Sequence, residues 1–420
     1  MVYVLAIDGT PLMPCTNAVA RMLLRDKKAK VKRREPFTIK LLYETTKYTQ
    51  KLTLGVDTGS GTIGTAVSNE KGEIVYASEV KVRNDISEKM IKRSGYRRNR
   101  RSRKTRYRKA RFNNRANSTK RNRFSPTMQS KFHSHEKEIK FIKSVLPIAE
   151  VVIETGQFDP HLLKNPEMNR HWGYQKGTNY GFENTKAMVL NRDQYTCQCC
   201  KGKHKDSKLE VHHIVFRSQG GSDDETNLIT LCSTCHKRIH KGDVKFDLTG
   251  KIKGTLKYAT QMNAIRLFLL KKYPETTETF GFITKANRLK LNIQKEHYID
   301  ACVIATGGKE FSIKCDLYKK RCIPSGDFQQ TKGIRSEQQI TTGKIAGFRK
   351  YDKVKYLGKE YFIKGRMSSG YAILMDIDGK KIDFSDMPKG YKTPKISNLT
   401  RIGARKTWMI TKEVLTQNIA

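Results

Sequence analysis

No apolar run in this 420-residue chain approaches the ~18 residues that a membrane-crossing helix needs, so no membrane span is expected. The opening stretch, Met1 to Pro14, is apolar but short, lacks a basic leader and runs into proline, which argues against a signal peptide. Acid is scarce: 40 Asp and Glu face 83 Lys and Arg, a net charge of +43. That excess is too large for an ordinary soluble enzyme and implies a polyanionic partner held in a salt-dependent way. Acid is absent altogether from Lys92 to Arg123, where 16 of 32 residues are Lys or Arg. Glycine and proline nearly vanish after Gly95, and Arg is a good helix former. The stretch reads as a helix that its own charges keep loose and that phosphates would order. A solvated basic tail would lie at a terminus, and this lies mid-chain, so it is expected to bind nucleic acid through Arg forks on phosphate. Tyr96, Tyr107 and Phe112 are interleaved as stacking or packing residues. Signs of secretion are also missing, so the nine cysteines point to a reducing cytoplasm rather than a disulfide framework.

The cysteines have a pattern. Cys197/Cys200 and Cys232/Cys235 form two Cys-x-x-Cys knuckles, the spacing of a tetrahedral structural Zn²⁺ site. Cys199 is spare in Cys-Gln-Cys-Cys and competes with Cys200 for the ligand position. Between the knuckles run Leu-Glu-Val-His212-His213-Ile, Gly220-Gly221 and Asn227, and His236 follows. That order resembles the HNH nuclease motif with its ββα-metal fold. The resemblance implies phosphodiester hydrolysis, which needs an activated water and a divalent cation against the charge developing on phosphate. It makes His213 the general base, His212 and His236 ligands of the catalytic metal, and Asn227 the residue that holds the His213 loop. His240, four residues beyond His236 on one helix face, is a further candidate ligand. The plain alternative is a zinc ribbon that only binds nucleic acid, its histidines lying on the surface.

A second set of acids is spread along the chain. The strand Lys51–Val56 runs into Asp57-Thr58-Gly59-Ser60, and two more strands follow over Ile63–Asn69 and Ile74–Val82. A strand-end carboxylate before a small-residue turn opens the RNase H-like fold, and also the sugar-kinase and actin ATPase fold. Glu150–Glu154 is a buried type of strand ending in a carboxylate, expected beside Asp57. In the helical run Lys295–Ala305, His297 and Asp300 share a face at i, i+3. Asp57, Glu154 and Asp300 with His297 form a set suited to two Mg²⁺ ions about 3.5–4 Å apart.

Taken together, these pieces resemble IscB, the compact transposon-encoded (OMEGA) RNA-guided nucleases related to the large CRISPR effectors. The Pro11–Pro14 Pro-Leu-Met-Pro motif, a rigid turn by itself, matches that family's N-terminal domain. The fold class implied is multidomain α/β. An RNase H-like (RuvC) core is split in three, with an inserted zinc-stabilised HNH domain, an Arg-rich bridge helix and a basic β-rich C-terminal domain. The boundaries expected are 1–50 for the N-terminal domain, 51–83, 127–175 and 256–311 for the RuvC parts, 84–126 for the bridge helix, 176–255 for HNH and 312–420 for the last region.

The resemblance implies a guide omega RNA contacted by Arg97, Arg98, Arg100, Arg101, Arg103, Lys104, Arg106, Arg108 and Arg111. It implies HNH cutting of the guide-paired strand of double-stranded target DNA and RuvC cutting of the displaced strand. Mg²⁺ or Mn²⁺ would serve both sites, in a monomeric, cytoplasmic bacterial or archaeal ribonucleoprotein. Phe348 to Phe384 alternates apolar and polar residues with turns at Gly358, Gly370 and Gly379 and reads as a small β-barrel or twisted sheet, and by resemblance residues 312–420 bind an RNA stem and the target-adjacent motif. A protein-guided homing or junction-resolving endonuclease is the alternative reading.

Overall fold

The structure is a computed structural model of the chain that describes residues 1–103, 124–164, 179–204, 206–217, 221, 223–243, 256–324, 328–330, 337–339, 344–367, 369–388 and 391–415. These fall into two compact units, one of residues 1–156 with 262–420 and the other of residues 157–261.

The first unit begins with β1 (Val2–Leu5), β2 (Pro11–Cys15), α1 (Asn17–Arg25), β3 (Ala29–Arg33) and β4 (Thr38–Leu41), whose strands form a sheet in the order β2-β1-β4-β3. Pro11–Pro14 is therefore a strand and not a turn. Proline's missing donor is tolerated at a sheet edge, where one side of the strand bonds to nothing. The turn lies just before it, at Ile7–Thr10, where Gly9 takes φ +94°. At the start of α1 the Thr16 hydroxyl caps the helix, accepting from Val19 N at 3.4 Å, and Asn17 lies inside the first turn.

A meander follows, β5 (Leu52–Asp57), β6 (Thr62–Asn69) and β7 (Glu73–Lys81), then α2 (Ile86–Arg103), α3 (Pro126–Lys143) and β8 (Ile148–Thr155). β8 returns parallel to β5. Ser125 caps α3 and Pro126 sits in its first turn, where a missing N–H costs nothing.

The second unit holds α4 (Pro160–Lys164), α5 (Thr185–Arg192), the antiparallel pair β9 (Leu209–His213) and β10 (Leu228–Cys232), and α6 (Ser233–Lys241). Its small core is Cys197, Ile229, Leu231, Cys232 and Cys235, with Met188, Val189 and Leu228 on the other side of the hairpin. A core this small among the described residues is of the kind that small domains supplement with a metal. α7 (Lys257–Lys272) spans the boundary between the two units.

The first unit resumes with β11 (Thr277–Phe280), α8 (Gly281–Lys290), α9 (His297–Thr306), β12 (Ser312–Ile313) and β13 (Leu317–Cys322). Then come the hairpin β14 (Phe328–Gln330) and β15 (Glu337–Gln339), and β16 (Lys353–Tyr356), β17 (Lys359–Arg366), β18 (Ala372–Met375), β19 (Thr400–Gly403) and β20 (Trp408–Glu413). The main sheet runs β11-β8-β5-β6-β7-β13-β20, with β12 also on β7, and a separate sheet runs β18-β17-β16-β19. One face of the main sheet buries Leu52, Leu54, Val56, Ile63 and Val67 with α3 and α7. The other packs Ala66, Ala77 and the apolar side of α9. Each fully buried aliphatic side chain contributes about 1.5–3 kcal/mol. An ion pair lies within the first face: Lys320 Nζ meets Glu138 Oε1 and the Tyr76 hydroxyl at 2.6 Å each, under the rings of Phe141 and Trp408.

Candidate active sites

In the second unit, strand alternation turns Glu210 and His212 to one side of β9 and His213 to the other. His212 is buried at 4% exposure. α6 begins directly after β10 and presents His236 and His240 at i, i+4 on one face. One ring nitrogen each of His212, His236 and His240 lie within 4.8 Å of one another. His236 Nδ1 is 2.9 Å from Glu210 Oε2, which leaves its Nε2 turned to the other two rings. Burial, then repulsion from the neighbouring histidines, lowers His212 to about 4, so its imidazole is a neutral donor. Three imidazole nitrogens, one backed by a carboxylate, fit a divalent cation. Imidazole is a softer ligand than Mg²⁺ prefers, so this donor set suits a divalent first-row transition metal better. Where the sequence left His236 and His240 as competitors, the structure places both in the cluster.

An open cleft of about 470 Å³ joins this cluster to His213 and Arg217. His213 Nε2 lies 2.7 Å from Asp223 Oδ1. Asn227 closes the intervening loop: its Oδ1 accepts from Val215 N at 2.8 Å and its Nδ2 donates to Val215 O at 3.1 Å. Ile214 N donates to Asn227 O at 2.8 Å. Gly221 is needed there, because a Cβ would stand 1.8 Å from Val215 O.

The thiols of Cys197, Cys200, Cys232 and Cys235 form the second cluster within 4.8 Å. Cys200 Sγ and Cys232 Sγ are 3.9 Å apart, close to the ~3.8 Å edge of a tetrahedron with bonds of about 2.3 Å to zinc. Cys200 stands in this cluster and Cys199 does not. Burial and the adjacent sulfurs push the Cys235 thiol up, so four thiolates here need a cation among them.

In the first unit, Asp57 and Glu154 are register partners at the ends of parallel β5 and β8. Two glycines admit α9 to the sheet. A Cβ on Gly55 would lie 2.4 Å from Ala301 O, and one on Gly64 2.0 Å from His297 O. The helix so seated brings His297 Nδ1 to 2.6 Å from Asp57 Oδ2. Burial pushes Asp57 up while His297 pulls it back, and the hydrogen bond to Asp57 pulls His297 up. Asp300, one turn along, is 2.9 Å from Arg288 Nε. Burial, then the like charges of Asp57 and Asp300, raises Glu154 to about 7. Its Oε2 is buried without a hydrogen-bond partner, and Gly281 leaves space beside its Oε1, where a Cβ would stand at 3.1 Å. An orphaned carboxylate oxygen among hard donors fits a cation such as Mg²⁺. The three carboxylates do not meet as the histidines do: among the described residues, the groups with ligand atoms within 4.8 Å are the thiol and histidine clusters.

Arg97 and Arg98 lie on α2, which carries Arg100, Arg101 and Arg103 to its end. Lys104, Arg106, Arg108 and Arg111 lie outside the described residues. Beside α2 is a groove of about 630 Å³ lined by Arg83, Lys89, Lys92, Arg93, Lys137 and Lys350, among others. Sequence reasoning missed Glu210, a single acid on β9, and Asp223, a single acid in a loop, since neither has a spacing to mark it. It also missed Gly55 and Gly64, whose cue was small residues on strands expected to be buried.

The HNH endonuclease family matches residues 197–242, and the RRXRR protein family matches residues 2–177. The chain contains that pattern literally, as Arg97-Arg98-Asn99-Arg100-Arg101. It is 41% identical over 69 residues to Anaredoxin of Nostoc sp., covering 16% of this chain and 88% of the relative. It is 36% identical over 62 residues to the type IV methyl-directed restriction enzyme EcoKMcrA of Escherichia coli, covering 13% of this chain and 22% of that enzyme. A crystal structure of Streptococcus thermophilus Cas9 in complex with the AGAA PAM aligns with a TM-score of 0.32 at 13% identity, over 57% of this chain and 32% of that one. The histidine cluster, the Asn227-closed loop and the HNH match define the class: a metal-dependent DNA endonuclease, hence a phosphodiester hydrolase. The chain carries an RRXRR-family region ahead of an HNH endonuclease domain, an order consistent with an IscB-like HNH/RuvC nuclease.

Proposed function

We propose that the chain is an RNA-guided DNA endonuclease with two cutting sites. In this reading an omega RNA lies along α2 and pairs with one strand of double-stranded DNA, the HNH site cuts that strand, and an RNase H-like site cuts the displaced one. The observation that carries the second site is the register of Asp57 on Glu154, with α9 delivering His297 onto Asp57. The sheet supports the same reading, since an antiparallel meander flanked by parallel β8 and β11 is the strand arrangement expected of an RNase H-like core.

At the HNH site, His212, His236 and His240 hold the cation. When bound, it supplies positive charge to the phosphate oxygens in the transition state. His213 takes a proton from water as the water oxygen bonds to phosphorus and one phosphorus–oxygen bond of the backbone breaks. At the second site Asp57, Glu154 and Asp300 would hold Mg²⁺, Asp300 exchanging its partner Arg288 for the cation, and His297, hydrogen-bonded to Asp57, serves as the proton acceptor. Cys197, Cys200, Cys232 and Cys235 hold a structural Zn²⁺ that contributes folding energy to the unit around them. Sequence is read by base pairing, with the protein supplying charge along the backbone.

Single-site variants test the two-site reading. Asp57→Ala is expected to convert double-strand cleavage into a nick, and His213→Ala into a nick on the opposite strand. Equal loss on both strands from either variant would contradict it.

A further inference from the structure

The HNH chemistry gives Asp223 no role, yet its position is closely defined. Its Oδ1 receives His213 Nε2 at 2.7 Å and Arg217 Nε at 2.8 Å, with Arg217 Nη2 at 2.7 Å. The loop that carries it is pinned at both ends. Asn227 brackets Val215 on one side, and Gly221 N donates to Phe216 O at 3.0 Å on the other. Asp224, the next residue, accepts from Thr226 N at 3.1 Å and starts the 3₁₀ turn Glu225–Asn227. Asp223 thus faces His213 beside these two ties. His213 has the lower exposure of the pair, 22% against 65%, and it opens into the cleft that contains the three-histidine cluster.

We infer that Asp223 is the positioning residue of the HNH general base. It accepts the Nε2–H of His213, fixes the ring's rotation and tautomer, and so presents Nδ1 as the proton acceptor. An imidazole has one lone pair when neutral, and a partner on one nitrogen decides which nitrogen carries it. With Asp223 on Nε2, the proton leaving water goes to Nδ1, and the Nε2 proton stays where it was. The imidazolium formed then has a carboxylate 2.7 Å away. Arg217 completes the arrangement: with two nitrogens on Asp223, it keeps the carboxylate charged and turned inward. Surface ion pairs are weak in general, so the role argued for Asp223 is one of orientation and not of stability.

The test uses the full chain with its own locus RNA, a duplex labelled on each strand, and Mn²⁺. The readout is whichever cleavage His213→Ala abolishes, so it stands apart from the assignment of strands and from RNA guidance. Asp223→Asn is expected to slow that cleavage about 10–100-fold under single turnover. The half-saturating DNA and Mn²⁺ concentrations, and the other strand's cleavage, should not change. Asp223→Glu should recover most of the rate. In a His213→Ala background, Asp223→Asn should cost nothing further, because the two residues act as one unit. A change under twofold in Asp223→Asn would overturn the inference, as would an equal loss in both backgrounds. If His213→Ala leaves all cleavage intact, His213 is not the base and the assignment of Asp223 falls with it.

Discussion

Gly64 shows how one missing side chain positions a site. A Cβ there would stand 2.0 Å from His297 O and 3.3 Å from Asp57 Cβ. Gly64→Ala should therefore lift the start of α9 and separate His297 from Asp57. The expected outcome is loss of cleavage of one strand with a stability cost of about 1–3 kcal/mol, read by strand-resolved cleavage and denaturant unfolding. Glu154 sets the pH behaviour of the same site. Its carboxyl is raised from 4.5 to about 7. The metal-free folded state therefore holds this proton between those values while the unfolded chain has released it. The resulting stabilisation is complete below about 4.5 and is lost as pH rises through 7. A cation must displace this proton. The half-saturating Mg²⁺ concentration for cleavage at this site should rise as pH falls below 7, while a pH-independent midpoint would contradict a role for Glu154 as ligand.

At the scale of elements, the second unit's hairpin and helix depend on what joins them. Replacing Cys232 and Cys235 by Ser should remove zinc, measured by metal analysis, and make residues 157–261 protease-sensitive while the first unit keeps its cooperative unfolding. Full retention of HNH cleavage in that variant would show that the thiol cluster is not a structural zinc site. The buried pair behaves differently. Lys320→Met leaves Glu138 charged in the core and should cost about 3–5 kcal/mol, although no catalytic group is touched.

These elements also show what a sequence carries. Regular spacing was legible: two Cys-x-x-Cys knuckles predicted a cluster and their four sulfurs meet, and strand-end acids in order predicted Asp57 beside Glu154. Partners that depend on the path of a loop were not legible. Asp223 meets His213 only because Asn227 and Gly221 close the chain between them, and Glu210 meets His236 only because α6 follows β10 directly. Pro11–Pro14 read as a turn because two prolines usually mark one, whereas an edge strand lets both lie extended. The carboxylates were expected as a ready two-metal set, yet Asp300 faces Arg288 at 2.9 Å, a pairing that separation along the chain does not reveal.

For the whole molecule, the net charge of +43 is the dominant property. A groove with Arg83, Lys92 and Arg93 beside α2 gives that charge a place to act. Nucleic-acid affinity should fall by about 10³–10⁵ between 50 and 200 mM salt if roughly 6–10 phosphates are neutralised. In the proposed function one chain carries two separate cutting sites directed by an RNA. The most direct measurement is strand-resolved cleavage of a linear duplex in Mg²⁺ or Mn²⁺, comparing the protein alone with the protein plus its locus RNA. Both strands should be cut only with RNA, at the guide-matched position. Cutting without RNA at a fixed sequence or structure would contradict it and make this a protein-guided nuclease.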